Sequence, residues 1–162
     1  MPRFQCVPIA AATVTRFRDS GIDDRGNAVI AMHSAAGPCR NCLCNATSDQ
    51  PLLLGSYDLP APRGIYWTPS PVFVHADDCP RFARPDAIAP IIRGRLVSVR
   101  SYDAAGMCLY DLGEVCDGDA VEGPLFRALD DSRTRIVNVH TARPGCLLCA
   151  VVRSGAELLS SP

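Results

Sequence analysis

The chain contains no lysine: all 16 of its basic residues are arginine. Without a side-chain amine there is no Schiff-base lysine, no anchor for pyridoxal phosphate and no phosphate-loop lysine, so those chemistries are excluded. Net charge is also scarce, with 16 basic residues against 17 acidic ones. A basic footprint of the kind that draws nucleic acid is missing, and nucleic acid is not expected as a partner. No stretch approaches the roughly 20 apolar residues that cross a bilayer. The first 14 residues carry a single arginine and interrupt their apolar positions with Gln5 and Pro8, a poor signal peptide. The expectation is a cytoplasmic protein without a membrane partner. Histidine is rare as well, at three residues, which leaves few side chains able to move a proton near neutral pH.

What is present is cysteine, nine residues of it in a chain of 162 that is 48% hydrophobic. That length and apolar content suit one domain over residues 1–162, able to bury a core without crosslinks. In a cytoplasmic chain so many thiols point to reduced, metal-bound or catalytic cysteine rather than disulfides, and an odd number leaves at least one unpaired in a monomer. No feature reports the oligomeric state.

Periodicity places a helix over 10–19, closed by Ser20-Gly21, and a second, amphipathic helix over 119–129 with Asp119 as its N-cap. Strands are expected over 27–33, 51–57, 72–75, 135–140 and 147–153. Two further β-prone runs, 95–102 and 107–115, flank Asp103-Ala104-Ala105-Gly106, a connection suited to a hairpin. Strands that arrive in adjacent hairpins with helices inserted predict an α+β fold. It is expected to be a mostly antiparallel sheet with two or three short helices packed on one side.

Alternation along Ile136-Val137-Asn138-Val139-His140 puts Ile136, Asn138 and His140 on one face. His140 thereby ends a strand beside Asn138, where a polar site could form or where the histidine could simply cap the sheet. His75 ends another strand, and His33 a third. Two Cys-x-x-Cys pairs, Cys39 with Cys42 and Cys146 with Cys149, have the spacing by which zinc collects two thiolates from one turn, and together they could complete a tetrahedral site. A strand already begun at Cys146 would send Cys149 to the opposite face and break the second pair. Cys39 is followed by Arg40, and Cys146 follows Arg143 and a Pro-Gly turn, so either sulfur could be held as a reactive thiolate while the arginines grip an anion. Cys6, Cys108 and Cys116 read as small apolar packing residues.

Along Pro38-Cys39-Arg40, Leu52-Leu53-Leu54 with Tyr57, Ser70-Pro71-Val72-Phe73-Val74-His75, the run 97–107 and Asn138-Val139-His140-Thr141-Ala142-Arg143-Pro144-Gly145-Cys146, the chain resembles the bacterial family catalogued as domain of unknown function 1203. That pattern has Pro-Cys-Arg, a Gly-Pro-Ile-Phe-Val strand, an Arg-x-Tyr-Asp hairpin and a terminal His-x-Ala-x-x-Gly-Cys-Phe. Here Ser70 stands for the glycine and Leu147 for the phenylalanine. The resemblance implies a small standalone protein and selects Cys39, Arg40, His140, Arg143 and Cys146, while Cys42, Cys44 and Cys149 look like additions in this member.

Two functions follow as expectations. The first is an enzyme, of specialised metabolism, acting on a small anionic or carbonyl-containing substrate. In it His140, Cys39, Cys146 and His75 are catalytic and Arg40, Arg143 and Asn138 bind the substrate. The second is a non-catalytic binding or interaction module with structural zinc on Cys39, Cys42, Cys146 and Cys149.

Overall fold

The computed structural model describes residues 4–33, 36–60 and 63–156. In chain order these form β1 (Phe4–Val7), α1 (Ala11–Asp19), β2 (Ile30–Met32), β3 (Leu52–Tyr57), β4 (Ser70–His75), β5 (Leu96–Tyr102), β6 (Glu114–Asp117), α2 (Glu122–Asp130), β7 (Ile136–Thr141) and β8 (Leu147–Arg153). Short 3-10 turns lie at Pro90–Ile92, Tyr110–Leu112 and Gly118–Ala120. The fold is α+β, with antiparallel sheets of five strands, β1-β8-β7-β5-β6, and three, β2-β3-β4. Among the described residues no helix is long and apolar enough to cross a membrane.

The strands thus divide between two sheets, and each sheet takes its own helix. α2 turns Leu125, Ala128 and Leu129 onto Val97, Val99, Val137 and Val139 of the five-stranded sheet, forming the larger core. α1 turns Val14 and Phe17 toward the three-stranded sheet, in a second core with Tyr57, Val72 and Val74. Gly55 of β3 permits that approach: a Cβ there would stand 2.6 Å from the Phe17 ring, closer than carbon atoms can come.

Residues 4–7, for which no element was expected, are edge strand β1, paired from Phe4↔Arg153 to Val7↔Ala150. Two local readings are corrected. The strand placed over 27–33 joins a sheet only at Ile30–Met32, and Ala28 forms an isolated bridge with Ile22. The hairpin partner of β5 begins at Glu114, not at Met107. The Asp103 carboxylate accepts the N–H groups of Ala105 and Met107, each at 2.9 Å, and closes the turn. Only an isolated bridge, Tyr102↔Cys108, follows before the 3-10 turn at Tyr110–Leu112 diverts the chain.

A bulge between Val139 and His140, opposite the start of β8, joins the two cores. Through it Leu147 enters the smaller core while Leu148 and Cys149 remain in the larger one. Both backbone groups of Leu147 are taken up by the other layer. Its N–H donates to Ser70 Oγ at 2.9 Å, and its carbonyl accepts from Arg40 Nε at 2.8 Å.

Candidate functional site

Cys39 and Cys42 share a tight turn. Leu43 N–H donates to the Cys39 carbonyl at 3.0 Å, Cys39 N–H donates to the Cys44 carbonyl at 2.9 Å, and buried Leu43 adopts a positive φ of 54°. A non-glycine residue there is strained, and burial of its side chain helps hold it in place. The turn is fixed to β4 by the Arg40 N–H, which reaches the Phe73 carbonyl at 2.8 Å. His75, the last residue of β4, therefore arrives beside the sulfurs, and its own N–H donates to Cys39 Sγ at 3.3 Å. Cys79 is carried in by the following loop. Asn41 Nδ2 holds it by donating to its carbonyl at 3.0 Å and to its sulfur at 3.2 Å.

The result is a cluster of Cys39, Cys42, His75 and Cys79 whose four ligand atoms all lie within 4.8 Å of one another. Cys39 Sγ is 3.9 Å from Cys79 Sγ, and Cys42 Sγ is 3.6 Å from His75 Nδ1. A zinc ion with bonds of about 2.3 Å to sulfur and 2.0 Å to nitrogen sets tetrahedral edges of about 3.8 Å between sulfurs and 3.5 Å between sulfur and nitrogen. The cluster can hold a metal and is compatible with zinc. His75 Nε2 is buried without a hydrogen-bond partner among the described residues. The hydrogen bond from the neighbouring Cys42 thiol, with the N–H groups of Cys42, His75 and Asn41, lowers the pKa of the Cys39 thiol, and the same bond keeps the proton on Cys42. From α1, Arg18 reaches Cys79 Sγ at 3.4 Å and the His75 carbonyl at 3.1 Å, bringing positive charge and orientation to the cluster's edge.

The expected four-cysteine set is therefore regrouped. Cys39 and Cys42 converge with His75 and Cys79, whereas Cys146 and Cys149 lie elsewhere. Cys149 is fully buried beside Cys6, which is also buried. Cys146 closes the β7–β8 turn, its N–H donating to Thr141 Oγ1 at 3.0 Å. Arg40 is only 2% exposed, and its guanidinium serves the carbonyls of Pro38, at 2.7 Å, and Leu147. Burial pulls its pKa down to about 10. It ties the two family motifs together from inside the protein. Arg143 is exposed on the β7–β8 turn, and so is His33, just after β2.

His140 and Asn138 occupy a second site. With Ile136, on the face predicted by alternation, they line a cleft together with Arg100 and Tyr102 of β5, Leu59, and the loop residues Tyr66, Trp67 and Thr68. The register Arg100↔Asn138 and Ser98↔His140 places these side chains in neighbouring rows. His140, near the end of β7, is buried. It is 4% exposed, Nδ1 meets the Gly145 carbonyl at 2.9 Å, and burial pulls its pKa down to about 4. Its Nε2 and the Asn138 Oδ1 are buried without a partner among the described residues. His75 belongs to the metal cluster and His140 to the cleft, so the two histidines serve separate sites.

Cys79 was overlooked in the sequence, although His75-Ala76-Asp77-Asp78-Cys79 follows Cys39-x-x-Cys42 as a second pair of zinc-ligand types with a short spacer. Arg100 begins the Arg-x-Tyr-Asp hairpin pattern, and nothing local reveals that it pairs opposite Asn138.

Fold and site together define an α+β domain with a buried cluster of three cysteines and one histidine that can bind a metal. Residues 36–153 match the family model DUF1203, described as a protein of unknown function, and the chain belongs to that family. All four members of the cluster fall inside the matched region. No curated protein and no solved structure gives a match.

Proposed function

We propose that this chain is a binding domain built around a structural zinc ion held by Cys39, Cys42, His75 and Cys79. The observation that carries this reading is the convergence of four ligand atoms within 4.8 Å from three separate segments of chain. Four protein ligands complete a tetrahedral shell and leave no position for substrate or water, which is the pattern of a structural rather than a catalytic zinc. The ion would fasten the turn at 39–44, the end of β4 and the loop carrying Cys79, segments with little regular structure to hold them. Zinc ligation also requires deprotonated thiols: the hydrogen bond from the Cys42 thiol favours the thiolate at Cys39, and the proton that this bond keeps on Cys42 is displaced by the metal. Titration of the reduced apo-protein with cobalt(II) tests this. Expected is the intense visible absorption of tetrahedral, thiolate-bound cobalt at one equivalent, abolished by zinc. The weak spectrum of hydrated cobalt with all thiols reduced would overturn it.

A second reading, an enzyme acting on a small anionic or carbonyl-containing substrate, is supported by the cleft. His140 and Asn138 keep their place in it, and Arg100 takes over the anion-binding role first given to Arg40 and Arg143. Cys39 and His75 then leave the catalytic set for the metal. Turnover of a small carboxylate that is lost in His140→Gln at unchanged zinc content would support this reading. Turnover that survives the substitution would remove His140 from the mechanism.

A further inference from the structure

The polar atoms of the cleft specify what it can receive. A carbonyl oxygen only accepts hydrogen bonds, so the 2.9 Å contact between His140 Nδ1 and the Gly145 carbonyl puts the imidazole proton on Nδ1. In the neutral ring Nε2 is then a lone-pair acceptor. It is buried and unpartnered among the described residues, as is the Asn138 Oδ1 acceptor. Both residues are more than nine-tenths buried, Asn138 at 7% exposed and His140 at 4%, and both line the cleft. A buried acceptor without a donor costs about 1–3 kcal/mol, so a ligand that supplies donors relieves a penalty already present in the fold.

Arg100 adds the opposite demand. It is half-buried, its Nε donates to Ser98 Oγ at 3.2 Å, and no carboxylate among the described residues forms an ion pair with it. Glu114, which lines the neighbouring groove, is already paired with Arg127. A partly desolvated guanidinium without a counter-ion favours an anion, and its fork matches a carboxylate. Size sets the last limit. The inner cleft has a volume of ≈ 50 Å³ and shares Tyr66, Thr68, Arg100 and Tyr102 with a groove of ≈ 460 Å³ that is also lined by Tyr110 and Val115. At roughly 10–15 Å³ for each water-sized site, the inner part takes a head of only a few heavy atoms.

We propose that the cleft binds a small carboxylate that also carries an O–H or N–H donor, a hydroxy acid or acid amide. Its anion lies against Arg100, its donor reaches His140 Nε2 and Asn138 Oδ1, and any apolar remainder lies between Tyr66, Trp67 and Tyr102. This rests on the second reading above and names the ligand's chemistry.

The test is NMR titration of the zinc-loaded full chain with three probes: lactate, with anion and donor; propionate, with the anion alone; and lactamide, with donors and no anion. Expected is saturable binding of lactate at least about tenfold tighter than either of the others, the increment of one good hydrogen bond or ion pair. Shifts should be confined to the cleft, and Arg100→Gln should reduce lactate to the lactamide level. Propionate binding as tightly as lactate would overturn the donor requirement, and lactamide binding as tightly would overturn the anion requirement; either leaves the cleft reading standing. If none of the three binds, the cleft reading falls with the inference.

Discussion

Cys39 and Cys79 lie 40 positions apart in sequence, yet their sulfurs are 3.9 Å apart, about one edge of a zinc–thiolate tetrahedron. Removing either should therefore act on metal content and stability together. Cys79→Ala is expected to lower bound zinc to below about half an equivalent and to cost about 2 kcal/mol or more, a fall in Tm of roughly 4–8 °C. Cys146→Ala, outside the cluster, should leave both unchanged. Zinc analysis and a thermal melt on the same samples decide it; equal behaviour of the two variants would contradict the assignment.

Two of the positions at which the chain departs from the pattern it resembles, Ser70 and Leu147, touch one another through the hydrogen bond of Leu147 N–H to Ser70 Oγ. Ser70→Ala leaves that buried N–H without an acceptor and should cost about 1–3 kcal/mol in urea denaturation. A change below about 0.5 kcal/mol would show that the link between the sheets does not depend on this contact.

Arg40 is expected to behave as a framework residue. Arg40→Met keeps much of the side-chain volume but leaves the carbonyls of Pro38 and Leu147 without their donor, at a cost of about 3 kcal/mol. Arg143→Met, on the exposed turn, should stay within about 0.5 kcal/mol. Denaturant midpoints separate the two, and a neutral Arg40→Met would return this residue to the candidates for ligand binding.

His140 gives the fold a pH dependence whose sign is fixed. Its folded pKa is lowered to about 4 from an ordinary value of 6.5, so between these values the unfolded chain binds a proton that the folded one refuses. The stability this confers is complete above about pH 6.5 and is lost as the pH falls toward 4. Between pH 7 and pH 5 the loss is about 2 kcal/mol. His140→Gln should flatten that component, and the difference between wild type and variant cancels the pH dependence shared by the zinc ligands. Parallel slopes for the two proteins would contradict the burial of a neutral imidazole.

Particular residues show what was legible in the sequence. Alternation alone sorted Asn138 and His140 from Val137 and Val139, because in a sheet with both faces covered each row still has its own chemistry. The Cys39-x-x-Cys42 turn was legible because its chelating geometry is local. The other half of the site was not: the partner of that turn depends on how β4 and the loop after it pack, and two Cys-x-x-Cys spacings favoured Cys146 and Cys149 over His75 and Cys79. β1 was hidden by brevity, since its four residues gain their identity from pairing with β8. The division into two sheets rests on which strands pair with which, a long-range feature without a local pattern.

The central claim is that Cys39, Cys42, His75 and Cys79 hold a zinc ion that supports the fold. Its most direct test is elemental analysis of the full chain, purified under reducing conditions without added metal or chelator. About one equivalent of zinc per chain is predicted, and less than roughly a tenth of an equivalent in fully reduced, folded protein would contradict it.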